Sequence, residues 1–233
     1  PLHGQPGTLQ TVINAQGKTL SKQIKKPPVN GQPLRLTIDL SLQQAAYQAF
    51  ADNSGSAIAV DPNSGEILAM VSKPGYNSNL FINGISHQDY QRLITSPDNP
   101  LFNRSIKGGY EPGSTIKPYM ALAGLVYGLI DADYRYFSRG FFQLPGQERR
   151  YHDWKRGGHG EVDVVNSLAE SVNVFYYDLA HRLGIDRIHD FLQPFGFGQL
   201  TNIDTSGEKK GILPSRAWKR AFRNMVWFPG ETV

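Results

Sequence analysis

A chain of 233 residues with no cysteine and a formal charge of +4 has no disulfide framework and no cysteine-based zinc site, and none of its basic stretches reads as a nucleic-acid module. Its charged fraction of 19% lies below the usual level of about 25%, while 11% aromatic residues are ample for a core. The length fits one large domain or two small ones, and no signal peptide or membrane anchor is visible.

The opening, Pro1-Leu2-His3-Gly4, reads like the middle of a longer protein. Residues 1–33 are polar, with two short strands, Thr11–Asn14 and Thr19–Ile24, about the turn Ala15-Gln16-Gly17. Pro27-Pro28 and Asn30-Gly31 end this region, which reads as a linker. Leu34–Ile38 alternates apolar and polar residues and predicts a half-exposed strand. Asp39 or Ser41 then caps a helix carrying Leu42, Ala45, Ala46, Ala49 and Phe50. Ala57–Val60 and Ile67–Val71, joined through Asp61-Pro62-Asn63-Ser64-Gly65, form the clearest hairpin. Both arms are nearly all apolar, which predicts a central place in a sheet covered on both faces. A short helix is expected over His87–Ile94, within a loop-rich stretch from Ser72 to Gly109. Residues 131–160 read mostly as loop. Helices follow at Val162–Glu170, at Val174–Leu183, stopped by Gly184, and at Ile188–Gln193; the tail from Gly198 is loop-like.

The chemistry begins at Glu111-Pro112-Gly113-Ser114-Thr115-Ile116-Lys117-Pro118. A Gly/Pro turn leads into a helix, and Lys117 lies one turn beyond Ser114 on the same face. The helix N-terminus adds partial positive charge beside both. A serine hydroxyl needs a base to take its proton, and a lysine with a lowered pKa can do that. Taken alone, the pattern also fits a capping serine and a solvated lysine. The apolar run that follows, with Met120, Ala121, Leu122, Ala123, Leu125, Val126 and Leu129, predicts a helix buried all round, and a lysine entering it points to catalysis. The thirteen uncharged residues from Pro118 to Ile130 are too few to cross a membrane, which takes roughly 20.

A second polar group, Ser171-Val172-Asn173, sits between two predicted helices, 57 residues after Ser114. On its own it is a helix cap. Together, Ser114-x-x-Lys117 and Ser171-x-Asn173 resemble the active-site motifs of penicillin-binding proteins and serine β-lactamases. Leu2-His3-Gly4-Gln5-Pro6-Gly7, Leu36-Thr37-Ile38-Asp39-Leu40-Ser41-Leu42-Gln43, the stretch from Ala59 to Met70, and Asn103-Arg104 are similar to the class B penicillin-binding proteins. More narrowly, Gln143-Leu144-Pro145-Gly146, Tyr151-His152-Asp153-Trp154-Lys155, Gly158-His159-Gly160 and Gly211-Ile212-Leu213-Pro214-Ser215-Arg216 with Trp218 resemble the branch of that family that serves rod elongation.

The resemblance implies an α/β fold of the α+β type, an antiparallel sheet flanked by helices, with residues 1–33 as linker from a pedestal region and 34–233 as transpeptidase domain. It implies that Ser114 attacks the carbonyl between two terminal D-alanines of a peptidoglycan stem peptide. Lys117 would take its proton, Ser171 would help pass a proton to the departing D-alanine, and Asn173 would hold the donor peptide and position Lys117. β-Lactams would acylate the same serine. The implied partners are stem peptides, β-lactam antibiotics and other cell-wall elongation proteins, and the implied location is the periplasmic side of an inner membrane. No cofactor is implied.

The family's third motif, Lys-Ser/Thr-Gly, does not occur: Lys18-Thr19-Leu20 lacks the glycine, Lys107-Gly108-Gly109 the hydroxyl, and Thr205-Ser206-Gly207 the lysine. The expectation is therefore a C-terminally truncated domain, impaired as an enzyme, with an exposed sheet edge. Asp153 and His159, six residues apart, could be two zinc ligands, as in some similar proteins, but Ser138 stands where a further carboxylate is expected. Two ligands fall short of the four a structural zinc needs, so they read as loop hydrogen-bonding residues with no metal. His87, His152, His181 and His189 read as surface residues. The alternatives to a transpeptidase are a serine β-lactamase and a non-enzymatic β-lactam sensor or remnant.

Overall fold

A computed structural model describes residues 4–233, so the Leu2-His3 part of the resemblance lies outside the described residues. The chain folds as two compact units that divide between Ser105 and Ile106.

In the first unit, β1 (Thr8–Ile13) and β2 (Thr19–Lys26) form an antiparallel hairpin with no buried residue. Asn14 closes its turn, the side-chain oxygen accepting from Gln16 N at 3.1 Å and Lys18 N at 2.8 Å. The expected strand at Leu34–Ile38 does not form. That segment touches the start of β4 (Ile67–Lys73) through Thr37 Oγ1 donating to Ile67 O and Asp39 N donating to Leu68 O, then turns at once into a helix. The helix is α1 (Leu40–Ala49), capped by the Asp39 carboxylate, which accepts from Leu42 N at 2.9 Å. It packs on β4, and Gln43 both donates to Met70 O and accepts from Met70 N, so one amide side chain satisfies a strand edge.

β3 (Gly55–Val60) pairs antiparallel with β4, Ala57 facing Val71 and Ala59 facing Ala69. Ala69 and Val71 are 1% exposed, whereas Ile58 and Val60 are about half exposed. The hairpin is thus buried on one face only, and among the described residues its sheet has two strands. α2 (His87–Thr95), capped by Ser86, matches the expected short helix, and α3 (Arg104–Lys107) is a single turn at the division.

The second unit is built on α4 (Lys117–Val126) and α6 (Asn173–Leu192). Met120, Ala121 and Ala123 of α4 meet Phe175, Leu179 and Leu183 of α6 in one core. Burying a side chain of Leu or Met size contributes about 1.5–3 kcal/mol. α4 is not buried all round, since Leu122, Leu125 and Val126 remain 41–64% exposed. A helix laid against one neighbour buries one stripe, and α6 covers only the Met120–Ala121–Ala123–Gly124 side. α6 is broken at Gly184, where φ is 73°, as the sequence predicted.

The stretch read as loop, 131–160, holds three three-residue strands, and a fourth begins at its end: β5 (Tyr136–Ser138), β6 (Phe141–Gln143), β7 (Arg150–His152) and β8 (Gly160–Val162). β6 pairs with β7 and β5 with β8, so they form one hairpin interrupted on its return side by the excursion 153–159. Gly158 seals the interruption: a Cβ there would lie 2.1 Å from Ser138 O, so only glycine fits. α5 (Val164–Ala169) follows, capped by Asp163. The tail carries one further α-helix, α7 (Arg216–Arg223), capped by Ser215 and ended by the left-handed Asn224, and a 3-10 turn at Pro229–Glu231. No helix among the described residues is long and apolar enough to cross a membrane.

Candidate active site

All four expected site residues lie in the second unit and meet. A 3-10 turn, Gly113–Ile116, carries Ser114 and runs directly into α4. Ser114 is exposed and caps nothing, while Lys117, the first residue of α4, is 7% exposed. The Lys117 ammonium uses each of its three N–H groups. It donates to Ser171 O at 2.8 Å, Ser171 Oγ at 3.0 Å and Asn173 Oδ1 at 2.6 Å. Ser171 Oγ in turn donates to Ser114 Oγ at 2.8 Å. The spacing of Ser114 and Lys117 suggested direct contact; the hydrogen-bonded route between them instead runs through the Ser171 hydroxyl.

The position of Ser171 follows from how α5 ends. Ser171 N donates to Leu168 O at 3.2 Å and Val172 N to Ser167 O at 2.9 Å, the double closure of a Schellman turn. Such a turn needs a left-handed residue, usually glycine; here Ser171 takes φ 52°. A non-glycine residue in that region costs of order 1–3 kcal/mol. The conformation turns both the Ser171 carbonyl and its hydroxyl toward Lys117, and Asn173, two residues on, opens α6.

Burial pushes the Lys117 pKa below the ordinary lysine value, and the negative charge of Asp153 acts in the opposite direction. The ammonium also lies 5.5 Å from the ring centroid of Tyr176, whose phenol is itself raised by burial and so stays neutral. Tyr176 OH meets the fully buried Ser167 Oγ at 3.1 Å. A cavity of about 500 Å³ opens beside these groups, with Ser114, Lys117 and Asn173 in its wall and Met120, Ile185 and Leu192 as part of its apolar lining. A serine at such a mouth, wired to a buried amine, has the parts for nucleophilic acyl chemistry.

Asp153 and His159 face each other at 3.3 Å, both side chains within 2% of full burial. Among the described residues no group of three or more His, Cys, Asp or Glu is placed to hold a metal ion. Nothing in the residue order indicated that the second Asp153 oxygen accepts from Val174 N, at 3.0 Å. Tyr176 under Lys117 was equally hidden, since an aromatic residue in a buried helix reads as core. The apolar periodicity of Val174, Phe175, Tyr176 and Tyr177 would need a known neighbour before it singled one out.

The penicillin binding protein transpeptidase domain matches residues 55–227. The whole chain is 41% identical over 232 residues to the peptidoglycan D,D-transpeptidase MrdA of Escherichia coli (strain K12), and 41% identical to that of Acinetobacter baumannii. It spans 37% and 34% of the length of these curated relatives. Among solved structures, Pseudomonas aeruginosa PBP2 in complex with WCK 5153 is 47% identical with a TM-score of 0.83, over 88% of this chain and 47% of that one. Helicobacter pylori PBP2, in a complex with MreC, is 31% identical with a TM-score of 0.84, over 98% of this chain and 42% of that one. The α+β arrangement of helices and antiparallel strands accords with these likenesses, and the chain belongs to the penicillin-binding protein transpeptidase domain family.

Proposed function

We propose that this chain carries the serine acyl-transfer chemistry of a peptidoglycan D,D-transpeptidase of the rod-elongation kind. In this reading Ser114 Oγ bonds to the carbonyl carbon between the two terminal D-alanines of a stem peptide. The amide C–N bond breaks and the terminal D-alanine leaves with a proton. An amine of a neighbouring stem peptide then attacks the ester, a cross-link forms and Ser114 regains its proton. Lys117 receives the Ser114 proton by way of Ser171, and Ser171 returns one to the leaving amine. Asn173 orients Lys117 and the donor peptide, and the Ser114 backbone N–H is a candidate oxyanion donor.

The observation that carries the reading is the unbroken run of hydrogen bonds from Ser114 through Ser171 to Lys117 and Asn173. The lowered Lys117 pKa supports it, because a larger neutral fraction makes a better base near neutral pH. Residues 1–33 lead into the catalytic region, β-lactams acylate Ser114, and the site works on the periplasmic side of the inner membrane. The MreC complex of the H. pylori relative supports elongation proteins as partners.

The test is covalent labelling by fluorescent penicillin, with Ser114→Ala as control. It is made on the chain and on a longer polypeptide that adds a Lys-Ser/Thr-Gly strand, a triplet these residues lack. The expected result is a stable adduct that vanishes with Ser114→Ala and forms more slowly on the chain alone. An adduct that survives Ser114→Ala, or no adduct on either folded polypeptide, overturns the reading.

A further inference from the structure

Asp153 is a fully buried carboxylate that the acyl transfer does not use. It opens the 153–159 excursion, which is tied down at both ends: Asp153 N donates to Gly140 O at 2.9 Å and His159 N to Ser138 Oγ at 3.2 Å. One carboxylate oxygen faces His159 Nε2 at 3.3 Å.

The other oxygen accepts from Val174 N at 3.0 Å. Val174 N–H is among the first four of α6, and Val172, at the N-cap position of α6, offers no side-chain bond. Asp153 therefore supplies, from 21 residues earlier, the cap that α6 lacks, with its negative charge at the positive end of the helix. The next residue adds a second grip. Trp154 Nε1 donates to Glu170 O at 3.1 Å, and its indole stands edge-on to the His159 ring at 5.2 Å. The two bonds fall immediately before Ser171 and immediately after Asn173.

The geometry points to Asp153 as a positioning residue for acyl transfer. Capping α6 and steadied by His159, with Trp154 as the outer arm, it holds the left-handed Ser171 and Asn173 in register with Lys117 and Ser114. This rests on the acyl-transfer reading above. The charge of Asp153 has a separate effect, since it opposes the downward push of burial on Lys117, while the Tyr176 phenol beside the ammonium is neutral.

The test compares Asp153→Ala, Asp153→Asn and Trp154→Phe with the unaltered chain and Ser114→Ala. Acylation is followed across pH at saturating fluorescent penicillin. Asp153→Ala is expected to slow acylation about 10²-fold with little change in prior binding, as misplacement of reacting groups does. Asp153→Asn keeps an acceptor for Val174 and should keep most of the rate, but its rising pH limb should move to lower pH. Trp154→Phe should cost about 2–10-fold, the value of one hydrogen bond. Rates within about twofold of the unaltered chain in Asp153→Ala and Trp154→Phe, with an unmoved pH limb in Asp153→Asn, overturn the proposal. If Asp153→Ala does not fold, the other two variants decide.

Two readouts need no turnover: amide hydrogen exchange over Ser171–Val174 and titration of the Lys117 ammonium by NMR. Failure of both the unaltered chain and its longer form to acylate sinks the acyl-transfer reading alone. Faster exchange in Asp153→Ala or Trp154→Phe, with a lower Lys117 midpoint in Asp153→Asn, still upholds the grip, and unchanged values overturn it.

Discussion

Two turns deliver the polar residues of the site, and both pass through left-handed backbone, Gly113 at φ 55° and Ser171 at φ 52°. At the first, the residue that bends the chain is not the residue that faces the site. Gly113 bends and Ser114 follows. At the second, one residue does both, because the Ser171 carbonyl and hydroxyl each accept from Lys117. Glycine relieves the strain where no side chain is wanted. Where a hydroxyl is wanted at the bend itself, the strain stays, of order 1–3 kcal/mol, and the surrounding structure has to hold it. The bonds from Asp153 and Trp154 fall on either side of Ser171, at Val174 and Glu170.

The strongest way to break this comparison is to remove what both turns serve. Lys117→Met should lower penicillin acylation by about 10²–10⁴-fold and abolish its rising pH limb. In the unaltered chain that limb should lie below the pH at which an ordinary lysine titrates, about 10.4, because a lowered pKa frees the neutral amine earlier. A pH-independent rate would remove Lys117 as the base. Next in size is a pair at the strained turn. Ser171→Ala keeps the left-handed backbone and loses the hydroxyl, while Ser171→Gly loses both hydroxyl and strain. Both should acylate about 10²-fold more slowly, yet the glycine variant should be more stable than the alanine variant by about 1–2 kcal/mol in thermal or denaturant unfolding. Equal stabilities would mean that Ser171 carries no strain. The smallest effect is at the relaxed turn. A Cβ on Gly113 meets nothing within 4 Å, so Gly113→Ala tests backbone strain alone and should destabilise by about 1–2 kcal/mol. No loss would show that the left-handed bend at Gly113 is dispensable.

What could be read in the chain beforehand depended on whether the signal was local. Ser114 and Lys117 share a turn, Asp39 caps its helix, and Gly184 breaks α6, each from residues within one turn of the effect. Joining the first motif to Ser171 and Asn173 took the resemblance, because 57 residues of sequence say nothing about distance. The strands β5 to β8 went unread because three residues are too few for an alternating pattern to stand out. α7 hid among basic residues, with only Ser215 to announce it. Leu122, Leu125 and Val126 read as buried because apolar residues do not say which side a neighbour covers. Asp153 and His159 were visible as a pair, but the amide they serve, Val174 N, was not.

The three acceptors around Lys117 Nζ match an ammonium hydrogen for hydrogen. A neutral amine has two hydrogens and a lone pair, so losing the proton leaves one contact that must reverse. Ser171 O and Asn173 Oδ1 carry no hydrogen to give, which leaves the Ser171 hydroxyl to swing its hydrogen from Ser114 to the nitrogen. Ser114 Oγ is then left as the donor to Ser171. The charge on Lys117 and the direction of two hydroxyl groups are one variable, and the nucleophile is aimed or idle according to where a single positive charge resides.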